Sequence, residues 1–438
     1  MFHKHLGILG RANLVASCAL RNRFLAVIPV IGILASMALT CAHVQESPRD
    51  AWEFAFKDFV IASWHPPADT DAEYEIYRDA GFNLVMSVRY KLPDNALELA
   101  RKHGLKVMID TYTPNDRPWG GTAAAYMPHP THHPATLPEL EWLHERYGDH
   151  PALGGYLLGD DYGALPQELV DTTRFLRENA PHLFPWICQN VMSAKSLADA
   201  GNPIQDPQIY PTLYQKDWPA EKQCQKMCLD LQRLRTGCRR YDLIMWPMFN
   251  VCGVDSDSLV RFQVYASLAY GAQGIWYFTY RDGLQNGSGY QTVEEVKQNL
   301  APTWKVAAEA NRRVAARGPH LLGRAAVEIF NTGWETSNTS RPGKGKLVET
   351  MSDDLLVGIL AKPGKQPLAM VVDKRTDKLP AAVPEREVEL CFARAVSGIE
   401  LLGSDQAVNG NKVNLRLPGG GGQLLALEGK RLDKFSEQ

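Results

Sequence analysis

The chain has 438 residues, 45% of them hydrophobic and 22% charged, with a formal net charge of −2. Such a length exceeds one compact core and implies two folded domains behind an export segment. The composition argues against extended disorder, and the near-zero charge gives no support for a nucleic-acid partner or for electrostatic binding to an anionic membrane.

At the N-terminus, Lys4, Arg11, Arg21 and Arg23 precede an apolar stretch from Leu25 to Ala42. A basic region followed by an apolar one is the order of a secretory signal. Three outcomes are open. The segment is cleaved near Ala38 or Ala42, or lipidated at Cys41 within A-L-T-C, or kept as a membrane anchor, since the run nears the ~20 residues that span a bilayer. In each case residues 1–45 are read as a targeting or anchoring segment, and the protein as periplasmic, extracellular or membrane-anchored.

From residue 50, short apolar runs alternate with amphipathic stretches, the pattern of βα units around a parallel sheet. Strands are predicted over Phe59–Trp64, Asn83–Val88, Leu105–Asp110, the run ending at Gly159, Trp186–Asn190, Gln208–Tyr214, Asp242–Phe249 and Gly274–Tyr280. Pro211 weakens the sixth, because proline cannot donate to a ladder. Helices are predicted over Asp71–Ala80, Asp94–His103 with a stop at Gly104, Pro138–Tyr147, from Pro166, Ala220–Arg235, from a cap at Ser256 or Asp257 to Tyr270, and Val293–Ala316. Thr113–Thr136 is a long loop rich in Pro, Gly and His. Eight strands alternating with helices over about 260 residues match an α/β fold of the (β/α)8 TIM-barrel type, covering residues 50–318. A doubly wound sheet would need a glycine-rich phosphate loop, which is absent. From residue 320 to 438, short strands separated by turns read as a small β-sandwich. Gly419–Gly422 reads as a flexible turn or strand break.

In a barrel, the residues that end each strand point into the mouth. Here they are Trp64 and His65, Arg89 and Tyr90, Asp110 and Tyr112, Asp160 and Asp161, Gln189 and Asn190, Tyr214, Asn250, and Tyr280, Arg281 and Asp282. Acids, aromatics and amides together fit a sugar site: rings stack on pyranose faces, and carboxylates and amides bind hydroxyls. The competing view is that strand ends of any barrel are polar. Asp160, Asp161, Asp110 and Asp282 are the candidate catalytic carboxylates. Trp64, His65, Arg89, Tyr112, Asn190, Tyr214, Asn250 and Tyr280 are the candidate substrate-binding residues. His129, His132 and His133 read as a solvated loop more than as metal ligands, and no metal or cofactor is expected. Cys224, Cys228 and Cys238 lie close in sequence, so an oxidising compartment would allow a local disulfide. No Ser-His-Asp pattern, P-loop or dinucleotide fingerprint is present.

The segment H-P-A-L-G-G-Y-L-L-G-D-D-Y-G, His150–Gly163, resembles the H-P-A-x-x-G-Y-x-x-G-D-E-P-G stretch of clan-A-type glycoside hydrolase barrels, notably those related to the family 42 β-galactosidases. Arg261–Tyr280 resembles their last helix–strand unit, and a β-sandwich after the barrel is common among them. The resemblance implies a general acid/base at the end of strand four, usually Glu, where Asp161 stands here after Asp160. It also implies a nucleophilic Glu ending strand seven. That strand reads M-W-P-M-F-N, with no acid before Asp255. A second carboxylate then has to come from Asp110 or Asp282, and carboxyls about 5 Å apart imply retention while about 6.5–9.5 Å imply inversion. The resulting expectation is an exported protein that hydrolyses glycosidic bonds of an oligo- or polysaccharide. The alternative is a non-catalytic carbohydrate-binding protein on the same scaffold.

Overall fold

The computed structural model describes residues 47–87, 92–111, 134–162, 164–189, 192–334, 339–380, 383–404, 406–430 and 432. The expectations for residues 1–45, for Cys41, for Arg89, Tyr90, Tyr112 and Asn190, and for His129, His132 and His133 lie outside them. Among the described residues, no helix is long and apolar enough to cross a membrane.

The barrel is built from β1 (Val60–Ser63), β2 (Leu84–Met86), β3 (Lys106–Asp110), β4 (Leu153–Gly159), β5 (Phe184–Gln189), β6 (Ile204–Ile209), β7 (Ile244–Met245), β8 (Met248–Asn250) and β9 (Gly274–Phe278). All its pairings are parallel, in the order β1-β9-β8-β6-β5-β4-β3-β2, with β7 also on β6. Strands buried on both faces read as continuous apolar runs, which is why the sequence displayed them. Asn83 bridges the seam between β1 and β2. Its Oδ1 accepts from Ile61 N at 2.8 Å, and its Nδ2 donates to Phe59 O at 2.8 Å.

The helices are α1 (Asp71–Asp79), α2 (Asp94–His103), α3 (Leu137–Tyr147), α4 (Gln167–Asn179), α5 (Ala194–Ala200), α6 (Pro211–Tyr214), α7 (Ala220–Tyr241), α8 (Asp257–Ala269), α9 (Val293–Gln298) and α10 (Trp304–Leu321). Local chemistry sets their ends. Thr70 accepts from Glu73 N to start α1, and Ser256 accepts from Leu259 N to start α8. Gly104 stops α2 at φ +71, where a side chain would be strained.

Three strand assignments shift. The sixth strand runs over Ile204–Ile209, and Pro211 opens the short α6 instead of sitting in a ladder. The seventh is two pieces, β7 and β8, split at Trp246–Pro247, and Asp242 is the left-handed cap of α7 at φ +50. The eighth ends at Phe278, short of Tyr280. The final barrel helix is likewise two helices, α9 and α10.

The C-terminal region holds a six-stranded antiparallel sheet and a three-stranded one. The six are β10 (Ala325–Asn331), β12 (Leu355–Ala361), β13 (Leu368–Asp373), β18 (Gly422–Gly429), β15 (Val396–Leu401) and β16 (Ala407–Asn409). The three are β11 (Val348–Met351), β14 (Arg386–Phe392) and β17 (Lys412–Leu417). Val357, Ile359, Val371, Leu425 and Leu427 face Val388, Leu390, Phe392 and Leu415 to form the sandwich core. The opposite face of the larger sheet, with Leu356, Leu360, Met370, Val372 and Leu424, joins the barrel core beside Val264, Tyr265 and Leu268 of α8. Helix α8 is therefore buried on nearly every side, as a helix packed between two layers must be.

Glycine permits the closest of these approaches. A Cβ on Gly358 of β12 would meet Ala269 O at 1.8 Å, and one on Gly420 would meet Ser258 O at 1.9 Å. The glycine run at 419–422 is thus a turn packed onto α8. Arg235, Arg261 and Arg317 donate from the barrel helices to the carbonyls of Ala326, Gly419 and Leu402 at 2.6, 2.9 and 2.8 Å.

The anticipated disulfide among Cys224, Cys228 and Cys238 is not formed. All six described cysteines are free. The sulfur of Cys224 meets Thr376, and that of Cys238 donates to Gln205, so packing directs each thiol to a different neighbour.

Two outcomes follow from this packing. Gly358→Ala should cost about 1–3 kcal/mol through overpacking, read as a lower urea midpoint with an unchanged slope. Of the six described thiols, only the half-buried Cys252 and Cys391 should react with a thiol reagent in the native protein, with Cys188, Cys224, Cys228 and Cys238 following on unfolding; peptide mapping of the labelled sites checks this.

Candidate active site

Alternation along each strand decides what enters the barrel. On β3, Met108 lies in the interior cluster while Val107 and Ile109 join the outer core, so Asp110 also points inward. On β5 the inward side chains are Phe184, Trp186 and Cys188. On β6 they are Ile204, Asp206 and Gln208, whereas Gln205 faces outward to Cys238 of α7.

Aromatic rings fill the interior below the mouth. Trp186 and Trp276 stack with centroids 3.8 Å apart and planes 15° from parallel. Trp64 meets Trp186 edge-on at 5.5 Å, and Trp246 meets Phe184 at 4.8 Å. The Trp186 indole N–H donates to Asp206 Oδ2 at 2.5 Å.

Above this floor sit the acids. Asp160 follows β4 and is 5% exposed, next to Asp161 at φ +64, which accepts from Gln208 Nε2. Gly159 pairs with Ile187, and Cys188 pairs with Asp206. This register sets Asp160, Cys188 and Asp206 side by side on consecutive strands. Asp206 is fully buried. Burial holds its carboxyl well above the usual carboxylate range against the pull of the Trp186 N–H, and the charge of Asp160 adds to the rise. Burial, then the charges of Asp160 and Asp206, push the Cys188 thiol up as well. Asp110 is buried at the end of β3, where its backbone N–H donates to Ser87 Oγ at 2.8 Å.

The structure brings together some candidates and separates others. Asp160 and Asp161 follow β4, Asp110 ends the neighbouring strand β3 on its inward face, and Trp64 follows β1 with its ring in the barrel interior. Tyr214 ends α6 with 67% exposure, within reach of the Asp161 charge and 5.9 Å from the Tyr210 ring. His65 is exposed at the rim, its ring 6.3 Å from Phe278. Asp282 is exposed at φ +71 on the turn after β9. Asn250 is buried, and its side chain is engaged by Cys252 N and O and by Thr212, each at 3.1 Å. Tyr280 faces away from the mouth: its ring is buried against Tyr77 and Phe82, at 4.9 and 5.6 Å.

Asp206, Gln208, Trp186 and Cys188 were not among the residues picked from the sequence. The missed signal is the period-two pattern Ile204, Asp206, Gln208, hidden by Pro207 and by a strand start placed four residues too late. Among the described residues, no cluster of His, Cys, Asp or Glu is arranged to hold a metal ion.

No family model matches this sequence, and no curated protein does. Solved structures do. A glycoside hydrolase family 5 protein from Bacteroides vulgatus superposes with a TM-score of 0.51 at 11% identity, over 86% of this chain and 90% of that one. A family 27 β-L-arabinopyranosidase from Geobacillus stearothermophilus gives 0.44 at 10% identity, over 88% and 98%. The first likeness shows a shared fold, that of a (β/α)8 barrel extended by a β domain. The link to family 42 rests on the sequence motifs alone.

Trp186→Phe removes the one hydrogen bond on Asp206 Oδ2 and should cost about 1–3 kcal/mol, the usual penalty for stranding a buried polar group. Equilibrium unfolding at neutral pH measures it, and a loss below a few tenths of a kcal/mol would contradict the role given to this bond.

Proposed function

We propose that the protein is an exported glycoside hydrolase-like enzyme, acting on an oligo- or polysaccharide at the C-terminal mouth of the barrel. One observation carries the reading: carboxylates end the neighbouring strands β3 and β4 of a barrel whose interior holds stacked indoles, and exposed Tyr214 lies within reach of the Asp161 charge. Carboxylates supply acid/base or nucleophilic chemistry at a glycosidic bond, and aromatic faces hold sugar rings. The fold shared with a family 5 glycoside hydrolase supports it further.

In this reading Asp161 is the proton donor. It is partly exposed, so a leaving-group oxygen can reach it, and the Gln208 amide fixes its orientation. Asp110 is the second carboxylate, facing the same interior from the neighbouring strand β3. Asp282 belongs to the rim. Trp64, His65 and Tyr214 contact the sugar, as do Arg89, Tyr112 and Asn190 from the strand-end positions that the sequence assigns them. Export follows from the basic and apolar N-terminal segment, by cleavage or by retention as an anchor.

A second reading, sugar binding without turnover, is favoured by one observation. The end of the seventh barrel strand carries Asn250 in place of an acid, and that amide is already engaged.

Asp161→Asn tests the assignment. Turnover of substrates with poor leaving groups should fall by about 10²–10⁴, the usual share of a general acid. Activated aryl glycosides need little protonation and should lose much less. Sugar affinity, measured by calorimetry, should be retained. Unchanged turnover of a poor leaving group in the folded variant would remove Asp161 from this role and make Asp160 the next candidate. A wild-type protein that binds glycans and cleaves none of a broad panel would establish the binding reading.

A further inference from the structure

Among the described residues, the large hydrophobic side chains that stand exposed are Tyr214, Trp218 and Leu379, the last two at 43% and 63%. Scattered apolar groups on a surface are ordinary, but these are gathered along one flank of the mouth. Gln208 of β6 donates to Asp161, and Tyr210, two residues later, carries an aromatic path outward. The Tyr210 ring lies 4.7 Å from Phe278 and 5.9 Å from Tyr214. Trp218 comes one turn further, its backbone N–H donating to Gln215 O at 2.9 Å. Leu379 arrives from the sandwich, on the segment between β13 and β14, beside Lys378, whose ammonium donates to Lys216 O. The backbone under these side chains is pinned from both domains. Gln223 Nε2 of α7 donates to Gln215 O at 2.8 Å, and the Asp377 N–H donates to Ser258 Oγ of α8 at 3.0 Å. A scaffold held before a ligand arrives has little freedom to lose when it binds.

Between Tyr214 and Trp218 stand Gln215, Lys216 and Asp217, the last two exposed. Flat rings interleaved with hydrogen-bonding groups suit a sugar chain, which is apolar on its ring faces and polar at its edges. The two rings together expose on the order of 250 Å², far short of the ~800 Å² per partner of a stable protein interface. We propose that Tyr214, Trp218 and Leu379 form an outer subsite for a glycan chain that enters the mouth. Units beyond the one held at Asp161 then lie across the segment from α6 to α7 and reach the sandwich. The ligand class is an extended oligo- or polysaccharide, not a mono- or disaccharide, and the sandwich contributes to binding as well as to packing. This inference rests on the reading of the mouth as a carbohydrate site.

The probes are array oligosaccharides graded from disaccharide to hexasaccharide. The array selects a series that the wild type binds, and calorimetry measures its shortest and longest members, in the Asp161→Asn background where turnover intrudes. The hexasaccharide should bind about tenfold or more tighter than the disaccharide. Trp218→Ala should weaken the hexasaccharide about tenfold, the scale of one lost ring contact, and leave the disaccharide unchanged. Leu379→Ser should weaken the hexasaccharide alone, by less. Tyr214→Ala, nearer Asp161, should weaken both. These side chains are exposed, so the variants keep the fold. Fluorescence gives an independent reading. The hexasaccharide should shield indole emission from iodide quenching more than the disaccharide does, and Trp218→Phe should abolish that difference. Equal affinity for both lengths, a Trp218→Ala loss common to both, or no binding to any array member would each overturn the proposal. So would a concentration-dependent dimer that Trp218→Ala dissolves with hexasaccharide affinity unmoved. Length-dependent binding without hydrolysis would end the hydrolase reading alone, and hydrolysis without length dependence would end this inference alone.

Discussion

The hydrogen bond from the Trp186 indole to Asp206 joins the packing of this barrel to the polarity of its mouth. A (β/α)8 barrel must fill its interior with side chains. Here large flat rings do so, and their one polar atom on β5 is matched by a carboxyl on β6. That match sets the height at which apolar packing ends and the acids begin. It also fixes the level of Cys188, Asp160 and Gln208, because parallel register ties each strand to its neighbour.

The same economy of space governs the junction with the sandwich. Helix α8 lies against the barrel wall on one side and the six-stranded sheet on the other, so all its residues but Asp257 and Arg261 are buried. Gly358 and Gly420 let backbone meet backbone there, and arginines from α7, α8 and α10 satisfy carbonyls of the sandwich. The sandwich completes the burial of α8, which makes it part of the barrel's own packing.

The mouth departs from the glycoside hydrolase pattern that its sequence resembles. Asp161 stands where a longer Glu is usual, and Asn250 ends the seventh strand with its amide already bonded. The acids that are present crowd onto the β3–β6 side. A carboxylate pair built there would act from adjacent strands, and the geometry of any bound sugar would differ accordingly.

The sequence by itself determined the architecture. Apolar runs at regular spacing marked eight barrel strands, Gly104 and Ser256 marked helix ends, and the loss of helical period after Leu321 marked the change to β structure. These are local signals, set by side-chain period and backbone preference, and they survive without knowledge of neighbours. It also picked out Asp160, Asp161 and Asp110, because acids that end apolar runs stand out. The tertiary structure alone decided the rest. Tyr280 looked like a mouth residue, yet the strand ends at Phe278 and the ring turns to Tyr77 and Phe82. Asn250 looked available, yet Thr212 and Cys252 engage it. Asp206 was invisible, because prolines on either side disguised its strand. Whether a polar residue faces the barrel axis depends on strand start and register. Those are fixed by contacts between strands far apart in the chain, so a shift of one residue reverses every side chain without altering the composition.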